Sequence, residues 1–171
     1  MGFLRYNHVM ALSPSFLPIL HILHERLQGL PHPWALTGSV GMTLQGMDLE
    51  PHDIDLQSDR DGAYAIQERL AEFVTHPVVL RESEWTRSHF GALEIEGVKV
   101  EIMGDMRRRL PGADAWSPAL ELAQLVHWVD FQSMHLPVMD LEHEQGAYAA
   151  MGRTERSEKI RQFLSRRSHE A

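Results

Sequence analysis

From Phe16 onward the apolar residues recur at helical spacing. Phe16, Leu17, Leu20, Leu23 and Leu27 fall on one side of a 3.6-residue period, which predicts a first helix over "SFLPILHILHERLQGL". Ser13 and Pro14 suit its N-cap and first turn, and Gly29 with Pro31 ends it. "WALT" (34–37) then reads as a short buried strand, and Ser39 to Gln45 as a helix with Val40, Leu44 and Met47 on one face. In "HDIDLQS" the period changes to two: Ile54 and Leu56 point one way, Asp53 and Asp55 the other. A helix beginning at Asp61 runs through "GAYAIQERLAEFV", with Tyr64, Ile66, Leu70 and Phe73 as its apolar side.

Three strand-like segments follow, "VVLRES", "TRSHFGALEIEG" and "VKVEIMGD", the last two split by a tight turn at Glu96-Gly97. In the third, Val98, Val100 and Ile102 share one face, and Lys99, Glu101 and Met103 the other. "LELAQLVHWVDFQSMHLPVM" is compatible with helix or strand, and two strands joined near Gln132-Ser133 fit it better. "DLEHEQGAYAAMG" and "RTERSEKIRQFLSRR" predict two C-terminal helices separated near Gly152. The order predicts an α/β (α+β) fold built on one sheet. The 171 residues suit one domain, 1–171, with its C-terminal helical segment from about residue 140.

Composition narrows the chemistry. The formal charge of −8 argues against broad binding to nucleic-acid backbones, which needs clustered Lys and Arg. A nucleotide ligand remains open, because a metal ion can supply positive charge. The chain has no cysteine, so disulfides, thiolate metal sites and a Cys nucleophile are excluded. The first twenty residues lack the pattern of a signal peptide, and Tyr6 stands where a myristoylation signal wants Ser or Thr. Without an apolar stretch long enough to span a bilayer, a cytoplasmic protein with no membrane partner is expected.

Asp53 and Asp55 raise the sharpest question. A calcium loop fails on spacing, because Gln57 and Ser58 occupy its third-ligand and glycine slots. Asp59 and Asp61 read as the cap and first turn of the next helix, where negative charge suits the dipole. Two positions along a strand is about 6.6 Å. Asp53 and Asp55 can therefore converge on metal ions about 3.5–4 Å apart, and unpaired they would repel. An exposed strand face explains the pair equally well. Gly38-Ser39, between a strand and a helix, offers backbone N–H groups to an anion, although a plain turn is the commoner meaning. Glu101 is either solvent-facing in phase with Lys99 or a third carboxylate, serving as metal ligand or base.

Gly38-Ser39, then Asp53-Ile54-Asp55, then Glu101 together resemble the motif of the polymerase-beta-like nucleotidyltransferase superfamily. The small bacterial branch, with its aminoglycoside and lincosamide nucleotidyltransferases, is most similar. The likeness runs from about residue 34 to the C-terminal helices. It implies a mixed sheet flanked by helices, and an enzyme that transfers a nucleoside monophosphate, AMP from ATP, to a hydroxyl. Asp53, Asp55 and Glu101 would bind two Mg²⁺ ions, and Gly38 and Ser39 the triphosphate of ATP or another nucleoside triphosphate. The acceptor, small molecule or macromolecule, is not indicated. Small members often carry Lys where Tyr148 stands, whereas Arg153 matches the pattern. With Lys99 and Lys159 the only lysines, phosphate contacts fall to Arg87 or Arg153.

The remaining candidates have ordinary explanations beside the functional ones. Arg87 and His89 could face a nucleotide or end a solvated strand. His21 and His24 lack an evident third ligand for zinc, and His32 falls beyond a turn. Trp34, Trp116 and Trp128 could stack a base or simply pack. Glu142 and Glu144 could touch an acceptor, but a helix first turn accounts for them better. "RRR" (107–109) reads as a short basic turn that could steer a triphosphate, although a solvated loop accounts for it better. Two other functions stay open: a nucleotide- or partner-binding module of this fold without turnover, and a toxin–antitoxin component.

Overall fold

The computed structural model describes residues 12–170. Residues 1–11 of the N-terminal stretch read for a leader and a myristoylation signal lie outside them. Helix α1 (Leu17–Arg26) follows a single 3-10 turn at Pro14–Phe16. Strand β1 (Trp34–Thr37) leads directly into α2 (Gly38–Leu44), and β2 (Ile54–Ser58) into α3 (Arg60–Arg69). A meander follows: β3 (Val74–Glu82), β4 (Thr86–Ile95) and β5 (Val98–Arg108). One helical turn, α4 (Leu122–Leu125), precedes β6 (Val126–Phe131) and β7 (Met134–Met139), and α5 (Leu141–Ala150) and α6 (Thr154–Glu170) close the chain.

The described strands make one seven-stranded mixed sheet in the order β3-β4-β5-β2-β1-β7-β6. β2 pairs parallel with β5 and β1 parallel with β7, while β1 and β2 run antiparallel. Alternation along the strands sorts the two faces. Leu36, Ile54, Leu56, Val100 and Ile102 turn to one side and pack with Leu20 and Leu23 of α1 and Ala63 and Ile66 of α3. The opposite face is only partly covered. There Met42 of α2, Leu141 of α5 and Ile160 of α6 form a smaller cluster. The carboxylates sit beside it.

The hairpins match the expected turns. Glu96 and Gly97 both have positive φ (51° and 76°), as a two-residue turn between twisted strands requires. Gln132, at the tip of the β6–β7 hairpin, has φ 55°.

Four expectations change. The helix predicted through Val74 ends at Arg69; after a 3-10 turn, β-branched Val74 opens β3 opposite Leu93. Tyr64 is exposed rather than apolar-side, and its hydroxyl meets His89 Nδ1 at 3.0 Å. Leu122–Leu125 is helical, so the strand pair begins only at Val126. The basic run 107–109 is no solvated turn. β5 carries Arg107 and Arg108 opposite Arg87 and Thr86, and Arg109 bridges to Trp116; Arg107 pairs with Asp105 at 3.0 Å, and Arg109 with Asp114 at 2.6 Å. No helix among the described residues is long and apolar enough to cross a membrane.

Candidate active site

Three adjacent strands set one row of side chains across the open face. The pairing places Thr37 opposite Asp55, and Asp55 opposite Glu101. Adjacent strands lie about 4.8 Å apart, so neighbours in this row are within reach of each other. Asp53 stands two residues before Asp55 at the mouth of β2. Lys99, two residues before Glu101, bridges the row: its Nζ is 2.7 Å from Glu101 Oε1 and 3.6 Å from Asp53 Oδ2. Among the described residues, no group of three or more His, Asp or Glu is close enough to be assigned a metal ion.

The electrostatics are strained in a way that invites a cation. Burial first, and then the negative charges of Asp53 and Glu101, push the Asp55 carboxyl up to about 7. Hydrogen bonding to Glu101 and, through space, Glu144 act in the same direction. The neighbouring acids hold the Lys99 ammonium above its ordinary range, with the Glu101 hydrogen bond the largest cause.

The opposite wall is mostly basic. A cleft of about 630 Å³ is bounded by Ser39, Asp53, Asp55 and Glu101 on one side, and by Tyr148, Arg153, Glu155, Arg156 and Lys159 of the α5–α6 region on the other, with Lys159 Nζ 3.9 Å from Glu155 Oε1. The guanidinium groups of Arg153 and Arg156 each lie 5.9 Å from the Tyr148 ring centre. The helix ends that form this wall are joined by Gly152, whose φ of 73° lets the chain reverse.

Gly38 fits the junction of β1 and α2 for two reasons. Its φ is 65°, and a Cβ there would meet Asp55 Oδ2 at 2.5 Å. The Gly38 N–H is already engaged: it donates to Glu144 Oε1 at 3.0 Å, and Thr37 Oγ1 donates to the same oxygen. Ser39 follows at the cleft wall, in the first helical turn, where a backbone N–H has no intrahelical acceptor.

The structure thus gathers Gly38, Ser39, Asp53, Asp55, Glu101 and Arg153. It leaves Arg87 apart. Arg87 lies five residues along β4 from Ala92, the partner of Glu101, or about 16 Å of strand. Its guanidinium instead sits 5.9 Å from the Trp116 ring centre. None of the tryptophans lines this cleft: Trp34 is in the core, Trp116 lies under Arg109, and Trp128 stacks on His135. His24 and His32 border a separate cavity of about 450 Å³.

Sequence reasoning passed over Glu144 as a first-turn acid. It is 5% exposed and lies on the buried side of α5 with Leu141 and Ala147. That spacing, 141–144–147, was the available signal: a glutamate within an apolar helical stripe. Arg156 and Lys159, on α6, were also not singled out; a cationic wall facing three acids is visible only once α6 is placed.

A family model described as aminoglycoside-2''-adenylyltransferase matches residues 19–163. The crystal structure of a candidate nucleotidyltransferase from Thermotoga maritima superposes with TM-score 0.80 at 40% identity, covering 91% of this chain and 96% of that one. A lincomycin-bound lincosamide antibiotic adenylyltransferase, LnuA, aligns with TM-score 0.48 at 14% identity over 78% of this chain and 84% of its own. No curated protein matches. With most of its length matched by the family model, and its fold and 40% of its aligned residues shared with a solved relative, the chain belongs to the aminoglycoside-2''-adenylyltransferase family of nucleotidyltransferases.

Proposed function

We propose that the chain transfers AMP from ATP to a hydroxyl of an acceptor, releasing pyrophosphate, in the cleft between the carboxylate row and α5–α6. The observation that carries this reading is the aligned pair Asp55 and Glu101, with Asp53 beside them, facing Arg153, Arg156 and Lys159 across one cavity.

The donor set fits a divalent cation. Carboxylate oxygens are the ligands a hard cation takes, and this set pushes the Asp55 carboxyl up to about 7, a shift that positive charge would relieve. Lys99 is paired with Asp53 and Glu101, and its side chain is 55% exposed. Asp53, Asp55 and Glu101 would hold the metal, two Mg²⁺ ions in this reading. When bound, Mg²⁺ neutralises phosphate charge and aligns the attacking and leaving oxygens.

The chain's own groups do the rest. The Ser39 hydroxyl and first-turn N–H donate to phosphate oxygens. Arg153, held against Tyr148, supplies the charge that Lys would supply at position 148, with Arg156 and Lys159 beside it. The acceptor oxygen bonds to the α-phosphorus as the bond to the bridging oxygen breaks. That oxygen leaves with the electron pair as part of pyrophosphate. The hydroxyl proton passes to Glu101, or to solvent if Glu101 acts only as a ligand.

A second reading, nucleotide binding without turnover, is favoured by one observation: Tyr148 occupies the position where a cationic side chain is expected. Pyrophosphate release from ATP and Mg²⁺ with pools of hydroxylated acceptors separates the two. Turnover predicts release that disappears with chelator and in Asp53→Asn. Binding with no release across the pools would favour the module instead.

A further inference from the structure

Glu144 is a charged group that the transfer chemistry leaves unused. It is nearly fully buried, and taking a carboxylate out of water costs several kcal/mol before compensation. Burial accordingly raises its pKa; the hydrogen bonds from Thr37 and Gly38, and the charges of Arg108 and Arg156, pull it back. An apolar side chain would pack against Leu141 and Ala147 without that cost. The carboxylate therefore earns its place through what it binds.

What it binds is the strand-to-helix junction. A single oxygen, Oε1, accepts from both Thr37 Oγ1 and the Gly38 N–H. On its other side Gly38 abuts the Asp55 carboxylate, so closely that no Cβ would fit. The Gly38 peptide is thus fixed between an acid of α5 and an acid of β2, with Ser39 next in the chain. A residue 106 positions away in sequence thus bonds to the turn that leads into Ser39 at the cleft wall.

We infer that Glu144 is a positioning residue: it pins the Gly38 peptide so that Ser39 and Asp55 hold the spacing that triphosphate binding requires. The nucleotide half of this inference rests on the function proposed above. The pinning half does not.

Two substitutions separate the roles. Glu144→Gln keeps one oxygen able to accept both hydrogen bonds, whereas Glu144→Leu fills a similar volume and accepts neither. The first measurement is amide exchange at Gly38, by NMR on the full chain without nucleotide. Wild type and the Gln variant are expected to protect it, with exchange about tenfold or more faster in the Leu variant. The second is calorimetric affinity for ATP with Mg²⁺, expected to be nearly unchanged in Gln and about tenfold or more weaker in Leu. Should the Leu variant not fold, Glu144→Asp, which keeps the charge and shortens the reach, is expected to lose protection and affinity in the same direction.

Equal Gly38 exchange in all variants would overturn the pin. Faster exchange with unchanged ATP affinity would overturn its bearing on nucleotide. A wild type that binds no ATP would overturn the nucleotide reading itself, and the exchange measurement, made without nucleotide, tells that failure from a failure of the pin.

Discussion

Asp55 is under electrostatic stress, because burial and two nearby acids act on it together. The consequence is measurable without knowing any substrate. A carboxyl whose folded pKa is raised binds more protons in the native state than in the unfolded state between the two values. Stability then falls as pH rises through that interval, from the ordinary carboxylate range up to about 7. Thermal melts of wild type in chelator, from acid to pH 8, should show this loss, and Asp55→Asn should flatten it. Divalent cation should restore stability mainly at the upper end, where the carboxylate is ionised. A pH profile identical in Asp55→Asn would place the titration elsewhere. Lys99 belongs to the same balance. In sequence it read only as a neighbour in phase with Glu101; its bridge from Glu101 to Asp53 depends on Asp53 lying across from β5, which periodicity along one strand does not reveal.

At the level of elements, the chain separates acids that hold structure from acids that face the cleft, although they stand within a few residues of one another. Asp59 caps α3, its Oδ1 accepting from the Gly62 N–H at 2.6 Å, as its position before a helical period implied. Asp59→Ala should cost about 1 kcal/mol, read as a lower denaturant midpoint, and leave ATP affinity unchanged. A fall in affinity without a fall in stability would move Asp59 into the site. Local patterns such as this cap, the Glu96-Gly97 turn and the alternation of β2 and β5 were legible because neighbours in sequence produce them. Long-range packing was less so. Tyr64 satisfied the helical stripe but lies outside it, because Ala63 and Ile66 already fill the contact beneath α3. Arg107 and Arg108 of the basic run became strand because β4 offered them partners.

Across the whole molecule, the sheet has two different faces. One is closed by α1 and α3, and the other holds the carboxylate row below α5 and α6. The net charge of −8 conceals a local clustering of cations, since the cleft sets Arg153, Arg156 and Lys159, with Glu155 among them, opposite Asp53, Asp55 and Glu101. The sequence motif was sufficient to suggest the family, and the fold and family comparisons agree with it. It was not sufficient to place Arg87, which shares a strand face with His89 on paper but lies beyond a break in the β4–β5 register. Nor could it place Glu144, whose partners lie more than a hundred residues away. In the proposed function, Asp53 and Asp55 make nucleotide binding depend on metal. Calorimetry of ATP with Mg²⁺ on wild type and on the double variant Asp53→Ala/Asp55→Ala measures that dependence. Binding that chelator and the double substitution each abolish is the expected result; equal binding by wild type and double variant would remove these two residues from the site.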